Sequence, residues 1–248
     1  MLQISRRRFK LATCRTGFPG MTRDKLIIAI DGPSAAGKTS AARMLAKRLG
    51  YLYLDSGALY RAIAWKVSQS GLDQKDNQQL VELLSKTEIR VRAVGDDFRV
   101  SVDGVDVTSH LRTPEISRLA SQVSGIPAVR EKLLQVQREL GSQGGVVVEG
   151  RDIGTVVFPS AHKKFYLDAE LQVRGDRRYQ ELKAIGHPAD ERKVVEEVKI
   201  RDEKDSLRKI APLKKAKDAV VLDSTRMNLD EVVDRMMAEI QQSLNRPS

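Results

Sequence analysis

The sequence predicts an α/β fold: an open, five-stranded parallel sheet flanked by helices, with an antiparallel insert. Three patterns predict it. Short apolar runs alternate along the chain with stretches of helical period, which is how strands joined by right-handed crossover helices read. Two of those runs, GVVVE and AVVLDS, are continuously apolar, as expected of strands covered on both faces. One segment alone changes period: EIRVRAV and DFRVSVDG alternate every second residue around a Gly-Asp-Asp turn, predicting a hairpin with one exposed face.

Taken in order, LIIAI (26–30) is a buried strand. SAARMLAKRL (40–49) is a helix with Ala42, Leu45 and Leu49 on one side. YLYL (51–54) is a strand ending at Asp55. SGALYRAIAWKVSQ (56–69) is a helix in which Leu59, Ile63 and Val67 recur every four residues and Ser56 is placed to cap the start. LVELLSK (80–86) is a short helix, and the hairpin follows at 88–94 and 97–104. Two helices come next, PEISRLASQVSG and PAVREKLLQVQREL, the second with Val129, Leu133, Val136 and Leu140 as its expected buried stripe. GVVVE (145–149), KFYLDA (164–169) and AVVLDS (219–224) supply the remaining strands. A highly charged helical region, 170–217, separates the last two, and DEVVDRMMAEIQQSL closes the chain as a helix.

With 248 residues, 41% hydrophobic and 31% charged, the chain has globular composition. No apolar run reaches the 18 residues of a membrane span, so no membrane partner is expected. The single cysteine, Cys14, excludes a disulfide scaffold and points to a reducing, cytoplasmic compartment. The net charge of +10 is local. Residues 1–25 carry seven Lys/Arg against one Asp, and residues 172–217 carry fourteen against nine Asp/Glu. That distribution, with only 4% aromatic residues, argues against a nucleic-acid partner, which needs a basic face and stacking platforms. The tail 1–24 has no core pattern. It reads as a disordered extension or a start assigned upstream of Met21, with an Arg-rich transit peptide as the third reading. Export is excluded because no apolar segment follows SRRRFK.

Residues 32–39, GPSAAGKT, fit G-x-x-x-x-G-K-[ST] between a strand and a helix. At average glycine content, a chance match in such a chain arises about once in a hundred. The motif predicts a phosphate cradle. Small residues at Gly32, Pro33, Ser34, Ala35, Ala36 and Gly37 let backbone N–H groups turn inward. The helix N-terminus at Thr39 and Ser40 adds partial positive charge. Lys38 can reach the β and γ oxygens, and the Thr39 hydroxyl can bind Mg²⁺. The motif names a nucleoside triphosphate, not a reaction. No guanine-reading N/T-K-x-D, no transporter signature and no G-x-G-x-x-G occurs.

Arginines follow the later strands instead. LDSGALYR places Ser56 at a strand end and Arg61 in the next helix; EGRDIGTVV places Arg151 and Asp152 directly after a strand. In open α/β sheets the ligand crevice lies beyond the strand carboxyl ends, so Asp55, Ser56, Glu149, Arg151 and Asp152 are expected beside the cradle. Guanidinium forks suit a phosphate monoester. VKIRDEKDSLRKIAPL (198–213) spaces Arg201, Asp205 and Arg208 along one expected helical face, as a charged flap that could exclude water.

GPSAAGKT, YLDSGALYR, the SQVSG and PAVRE pair, EGRDIGTVVFP, IRDEKD and VLDST, in this order over residues 25–245, resemble the bacterial cytidylate kinases. The resemblance implies the nucleoside monophosphate kinase fold of P-loop proteins. It implies a single domain over 25–248 with core segments 25–83, 126–171 and 212–248, an acceptor-binding insert at about 84–125 and a helical lid at about 172–211. It implies transfer of the γ-phosphoryl group of ATP to CMP or dCMP with Mg²⁺, by a monomer serving pyrimidine nucleotide metabolism. Carried over by motif, Arg61, Arg151 and Arg208 clamp the acceptor phosphate, with Lys38, Arg151 and Arg208 as the catalytic set. Ser121, Arg130 and Asp152 read cytosine. Arg201 and Asp205 meet the ribose side, and Ser56 lies near the acceptor. Two positions depart from the family pattern: Glu149 stands where Asp is common before Gly-Arg-Asp, and Lys204 where the lid often has arginine, losing the fork but keeping the charge. The implied base contacts are chemically apt. Cytosine offers an N4 amine donor that a carboxylate accepts, whereas its N3 and O2 accept from arginine.

Overall fold

The structure, a computed structural model, describes residues 25–72, 77–95 and 97–244. The expectations for residues 1–24 fall outside them. β1 (Ile27–Asp31) leads through the glycine-rich turn into α1 (Lys38–Leu49); β2 (Leu52–Asp55) runs directly into α2 (Ser56–Ser70). α3 (Asn77–Lys86) precedes a small antiparallel sheet of β3 (Ile89–Val94), β4 (Asp97–Val102) and β5 (Val105–Asp106). α4 (Pro114–Val123) and α5 (Pro127–Gly141) return the chain to β6 (Val146–Gly150) and then β7 (Lys163–Asp168). α6 (Leu171–Ala184) and α7 (Glu191–Leu207) pack as a pair before β8 (Val220–Asp223) and α8 (Leu229–Leu244).

The main sheet is wholly parallel, in the order β2-β6-β1-β7-β8. Its middle strands are the apolar runs: Ile28, Ala29, Ile30, Val146, Val147 and Val148 have no exposed surface. Helices cover both faces, as an all-parallel sheet requires. The register fixes where the polar ends of the strands meet. Asp31 aligns with Gly150 on one side and Tyr166 on the other, and Asp55 aligns with Glu149. The carboxyl ends of β2, β6 and β1 therefore open into one crevice, where ligands bind in such sheets. This is the P-loop nucleoside monophosphate kinase fold expected above, with the antiparallel insert where the period changed.

Two expectations about packing need correction. β8, expected to be covered on both faces, is an edge strand that pairs only with β7, and Val221 is 49% exposed. On α5 the buried side is Val129, Arg130, Leu133, Gln137 and Gly141, while Val136 and Leu140 are half-buried. The helix is rotated from its purely apolar phase so that Arg130 points inward, a preference that hydrophobic periodicity does not carry.

Candidate active site

The turn after β1 has the shape that its small residues allow. Gly32 has φ 149°, and a Cβ there would collide with the carbonyl oxygen of Leu167. Ala35 (φ 58°) and Gly37 (φ 88°) are left-handed, and α1 starts at Lys38, two residues before the apolar period suggested. The turn thus ends on the free N–H groups of a helix start. Lys38 is buried and its Nζ donates to the Pro33 carbonyl. Burial, with the Arg151 charge second, pushes its pKa down to about 7. Thr39 and Ser40 lie exposed on the first turn.

Side chains from later in the chain hold this turn. Oδ1 of Asp202 accepts from the Ser34 N–H at 2.8 Å, and Nη1 of Arg174 donates to the Ser34 carbonyl at 3.0 Å and to Asp202. Ser224 Oγ is 3.2 Å from the Ala36 carbonyl and receives Arg177 Nη1 at 3.0 Å.

Asp55 organises the next strand end. One oxygen accepts from the Ala58 N–H at 3.1 Å and the other from Arg61 Nη2 at 2.5 Å. Asp55, not Ser56, is therefore the cap of α2, because the cap must be the last residue with non-helical backbone. Ser56 is buried beside Gly150, whose added Cβ would come within 2.5 Å of its Oγ. Across from Asp55, Glu149 is buried, accepts from Tyr53 Oη at 2.5 Å and lies close to the Thr39 hydroxyl. Burial and then the Asp55 charge raise its pKa.

Beyond β6 the cations gather. Arg151 Nε donates to Asp205 Oδ2 at 2.9 Å, and Arg208 Nη1 lies 3.4 Å from Asp205 Oδ1. Arg208 Nη2 lies 3.9 Å from Asp152 Oδ1, while Arg130 pairs with Asp152 Oδ2 and donates to the Ser124 carbonyl at 2.9 Å. Ser121 sits half-buried on the same end of α4, one turn before Ser124. The single helical face expected for Arg201, Asp205 and Arg208 is corrected at its end. α7 stops at Leu207, and Arg208 is delivered by extended backbone (φ −63°, ψ 139°), with its Nε on the Ala211 carbonyl at 2.6 Å.

The electrostatics are those of a site short of negative charge. Burial, then Arg151, push the Arg201 pKa down to about 10, and burial also lowers that of Arg208. Burial would raise the Asp205 carboxyl, but Arg151, Arg201 and Arg208 hold it below its usual range. Among the described residues, Nε of Arg61, Nε of Arg201 and Nη2 of Arg208 are buried without a hydrogen-bond partner. Buried guanidinium donors left open are costly unless an anion completes them.

Magnesium suits the neighbouring oxygens. No cluster of three or more His, Cys, Asp or Glu that could hold a metal occurs among the described residues. The Thr39 hydroxyl and the Glu149 carboxylate do lie together, and Mg²⁺ typically takes one or two protein oxygens, with phosphates and water completing its shell.

Asp31, Tyr53, Arg174, Arg177, Asp202 and Ser224 entered no sequence-derived site. Arg174 and Arg177 carry one sequence signal, an i, i+3 spacing that puts both on one face of α6.

A phosphate-type turn faces a cluster of unsatisfied arginines, and a family model described as cytidylate kinase matches residues 28–242. The chain belongs to the cytidylate kinase family. It is 51% identical to the cytidylate kinase of Syntrophotalea carbinolica, over 86% of this chain and 91% of that protein. Identity is 44% to that of Caldicellulosiruptor bescii, over 86% and 94%, and 47% to that of Geobacter sulfurreducens, over 86% and 92%. The match begins just past the basic tail and spans both halves of the site. Among the described residues no helix is long and apolar enough to cross a membrane.

Proposed function

We propose that the protein transfers the γ-phosphoryl group of ATP directly to CMP or dCMP, giving ADP and CDP or dCDP. One observation carries this reading beyond family membership. The guanidiniums of Arg61, Arg201 and Arg208 are buried and incompletely bonded; Arg151, Arg201 and Arg208 gather around Asp205, Arg61 lies within electrostatic reach of Arg201, and Arg151 and Arg201 lie within reach of Lys38 in the glycine-rich turn. Such a pair of facing anion sites suits a polyphosphate donor and a phosphate-bearing acceptor.

In this reading Gly32, Pro33, Ser34, Ala35, Ala36, Gly37, Lys38, Thr39 and Ser40 bind the donor. Arg61, Arg151 and Arg208 hold the acceptor phosphate, with Ser56 at its edge. Arg201 and Asp205 contact the ribose side, and Ser121, Arg130 and Asp152 contact cytosine. Lys38 and the arginines offset charge as donor and acceptor oxygens approach, which is most of what phosphoryl transfer requires. No general base is needed, because a phosphate monoester with its second pKa near 6 is already dianionic at pH 7. Thr39 and Glu149 would hold Mg²⁺, which when bound neutralises phosphate charge. The α6–α7 pair acts as the lid and the β3–β5 sheet with α4 as the acceptor insert. The same reading makes the protein a cytoplasmic monomer whose partners are nucleotides.

An acceptor panel of CMP, dCMP, UMP, AMP and GMP with ATP and Mg²⁺ tests it. CMP and dCMP should be phosphorylated fastest, with UMP behind and the purines inert. Preference for UMP or a purine would overturn the assignment of Arg130 and Asp152. ATP hydrolysis stimulated by nucleic acid, without transfer to any acceptor, would overturn the whole reading.

A further inference from the structure

Asp31 is the last residue of β1 and stands next to Gly32, where the phosphate-binding turn begins. It is 3% exposed, and both its oxygens are used. Oδ1 accepts from the Ile153 N–H at 2.8 Å and Oδ2 from the Gly154 N–H at 2.7 Å. Those two amides open the single wide turn Ile153–Val157, immediately after Arg151 and Asp152. Gly154 makes the approach possible, since a Cβ there would lie 3.3 Å from Asp31 Oδ2 and 3.0 Å from Lys164 Cδ.

A carboxylate is suited to this place because each of its oxygens can take one amide, whereas the amide of asparagine would turn an NH₂ toward one of two N–H donors. The arrangement is costly to hold. Burial lifts the Asp31 pKa to about 6 although both backbone amides oppose the rise; Asp152 adds to it and Lys38 opposes it. A charge buried at that cost serves no contact in the reading above, and its two bonds join the donor turn to the acceptor turn across 122 and 123 residues of chain.

We propose that Asp31 is a positioning residue that sets the spacing between the phosphate-binding turn and the acceptor-side residues Arg151 and Asp152. The proposal rests on the reading of Arg151 and Asp152 as acceptor contacts. Direct transfer demands that the two phosphates meet at a fixed distance and angle. A misplacement of about 1 Å can cost about 100-fold in rate. One residue of chain and one pair of hydrogen bonds separate the start of the donor turn from the acceptor arm, so a change at Asp31 shifts one site against the other without removing a ligand contact from either.

The test compares Asp31→Asn with wild type in the full chain. We expect kcat with CMP to fall about 10- to 100-fold and KM for CMP to rise, with the dissociation constant for ATP changed by less than about threefold. In the ligand-free protein, amide hydrogen exchange at Ile153 and Gly154 should accelerate at least about tenfold while the amides of β1 and β6 stay protected. Gly154→Ala displaces the same turn from the other side and should reproduce the kinetic pattern, with the double variant no worse than the more impaired single one. It also carries the test if Asp31→Asn does not fold. Wild-type transfer by Asp31→Asn, equal weakening of ATP and CMP, or unchanged protection at 153 and 154 would each overturn the proposal. If wild type itself ignored CMP, the functional reading would fail, and the exchange experiment would still decide what Asp31 does to the turn.

Discussion

Oδ1 of Asp202, on the α7 helix, lies 2.8 Å from the backbone nitrogen of Ser34 in the glycine-rich turn. A carboxylate thus holds an amide of the cradle, and its other oxygen is held by Arg174. This bond joins the helical pair to the glycine-rich turn, and the next turn of the same helix, through Asp205, holds Arg151 after β6.

In the proposed function, the negative charge of Asp202 would oppose a polyphosphate bound at the same turn. Asp202→Asn keeps an acceptor for Ser34 and removes the charge. One such repulsion at about 10 Å and an effective dielectric near 20 is worth about 1–2 kcal/mol. ATP should therefore bind roughly 5- to 30-fold more tightly to the variant, as read by calorimetry. Weaker binding would mean that the charge of Asp202 orders the turn rather than competing with the donor.

Lys38 supplies a pH-linked prediction. Its pKa is pushed down to about 7 by burial and Arg151, which brings its titration into the neutral range. A bound triphosphate favours the charged form, and ATP binding should take up a fraction of a proton near pH 7, falling toward zero at pH 5. Above pH 7 ATP affinity should decline as that proton becomes harder to acquire. Calorimetry in buffers of different ionisation enthalpy measures the uptake, and Lys38→Met should abolish it while slowing turnover by orders of magnitude with the fold intact. An unchanged proton count in Lys38→Met would assign the linkage elsewhere.

Asp152→Asn should change selectivity more than rate. A specific base contact is worth about 1–3 kcal/mol of discrimination, so kcat/KM for CMP should fall on the order of 5- to 150-fold more than for UMP. Because Asp152 also neutralises buried Arg130, the variant should be less stable, and melting must be followed separately from kinetics. Equal losses on both substrates would remove Asp152 from base reading.

Tyr53→Phe deletes the hydroxyl that donates to Glu149 at 2.5 Å and also lies against Arg43. Leaving a buried acceptor short of a partner costs about 1–3 kcal/mol, and urea unfolding should show a loss of that size with an unchanged slope. If Glu149 is steered toward the metal by this bond, the Mg²⁺ concentration for half-maximal activity should also rise. A stability loss alone would confine Tyr53 to packing.

Much of the local structure was legible because it is written in short windows. The apolar runs at 26–30 and 145–149 announced buried parallel strands, and the alternation at 88–104 announced the hairpin. GPSAAGKT needed only its neighbours to be recognised as a strand–turn–helix cradle. Where local reading failed, the cause was equally local: Ser56 and Asp55 are both competent caps, and backbone conformation selects between them. Arg208 lies one residue past a helix whose end carries no glycine or proline signal.

By itself the sequence determined the parallel α/β class, the position of the glycine-rich turn and the kinds of charged residue near it. Only the tertiary structure decided which of those charges meet: Asp31 with the amides of 153 and 154, Arg130 with Asp152, and Asp202 with Ser34. The physical reason is range. Helix and strand periods arise from backbone geometry over a few residues, whereas these polar pairs lie 22 to 168 residues apart and exist only once strand register and helix packing have brought their backbones together.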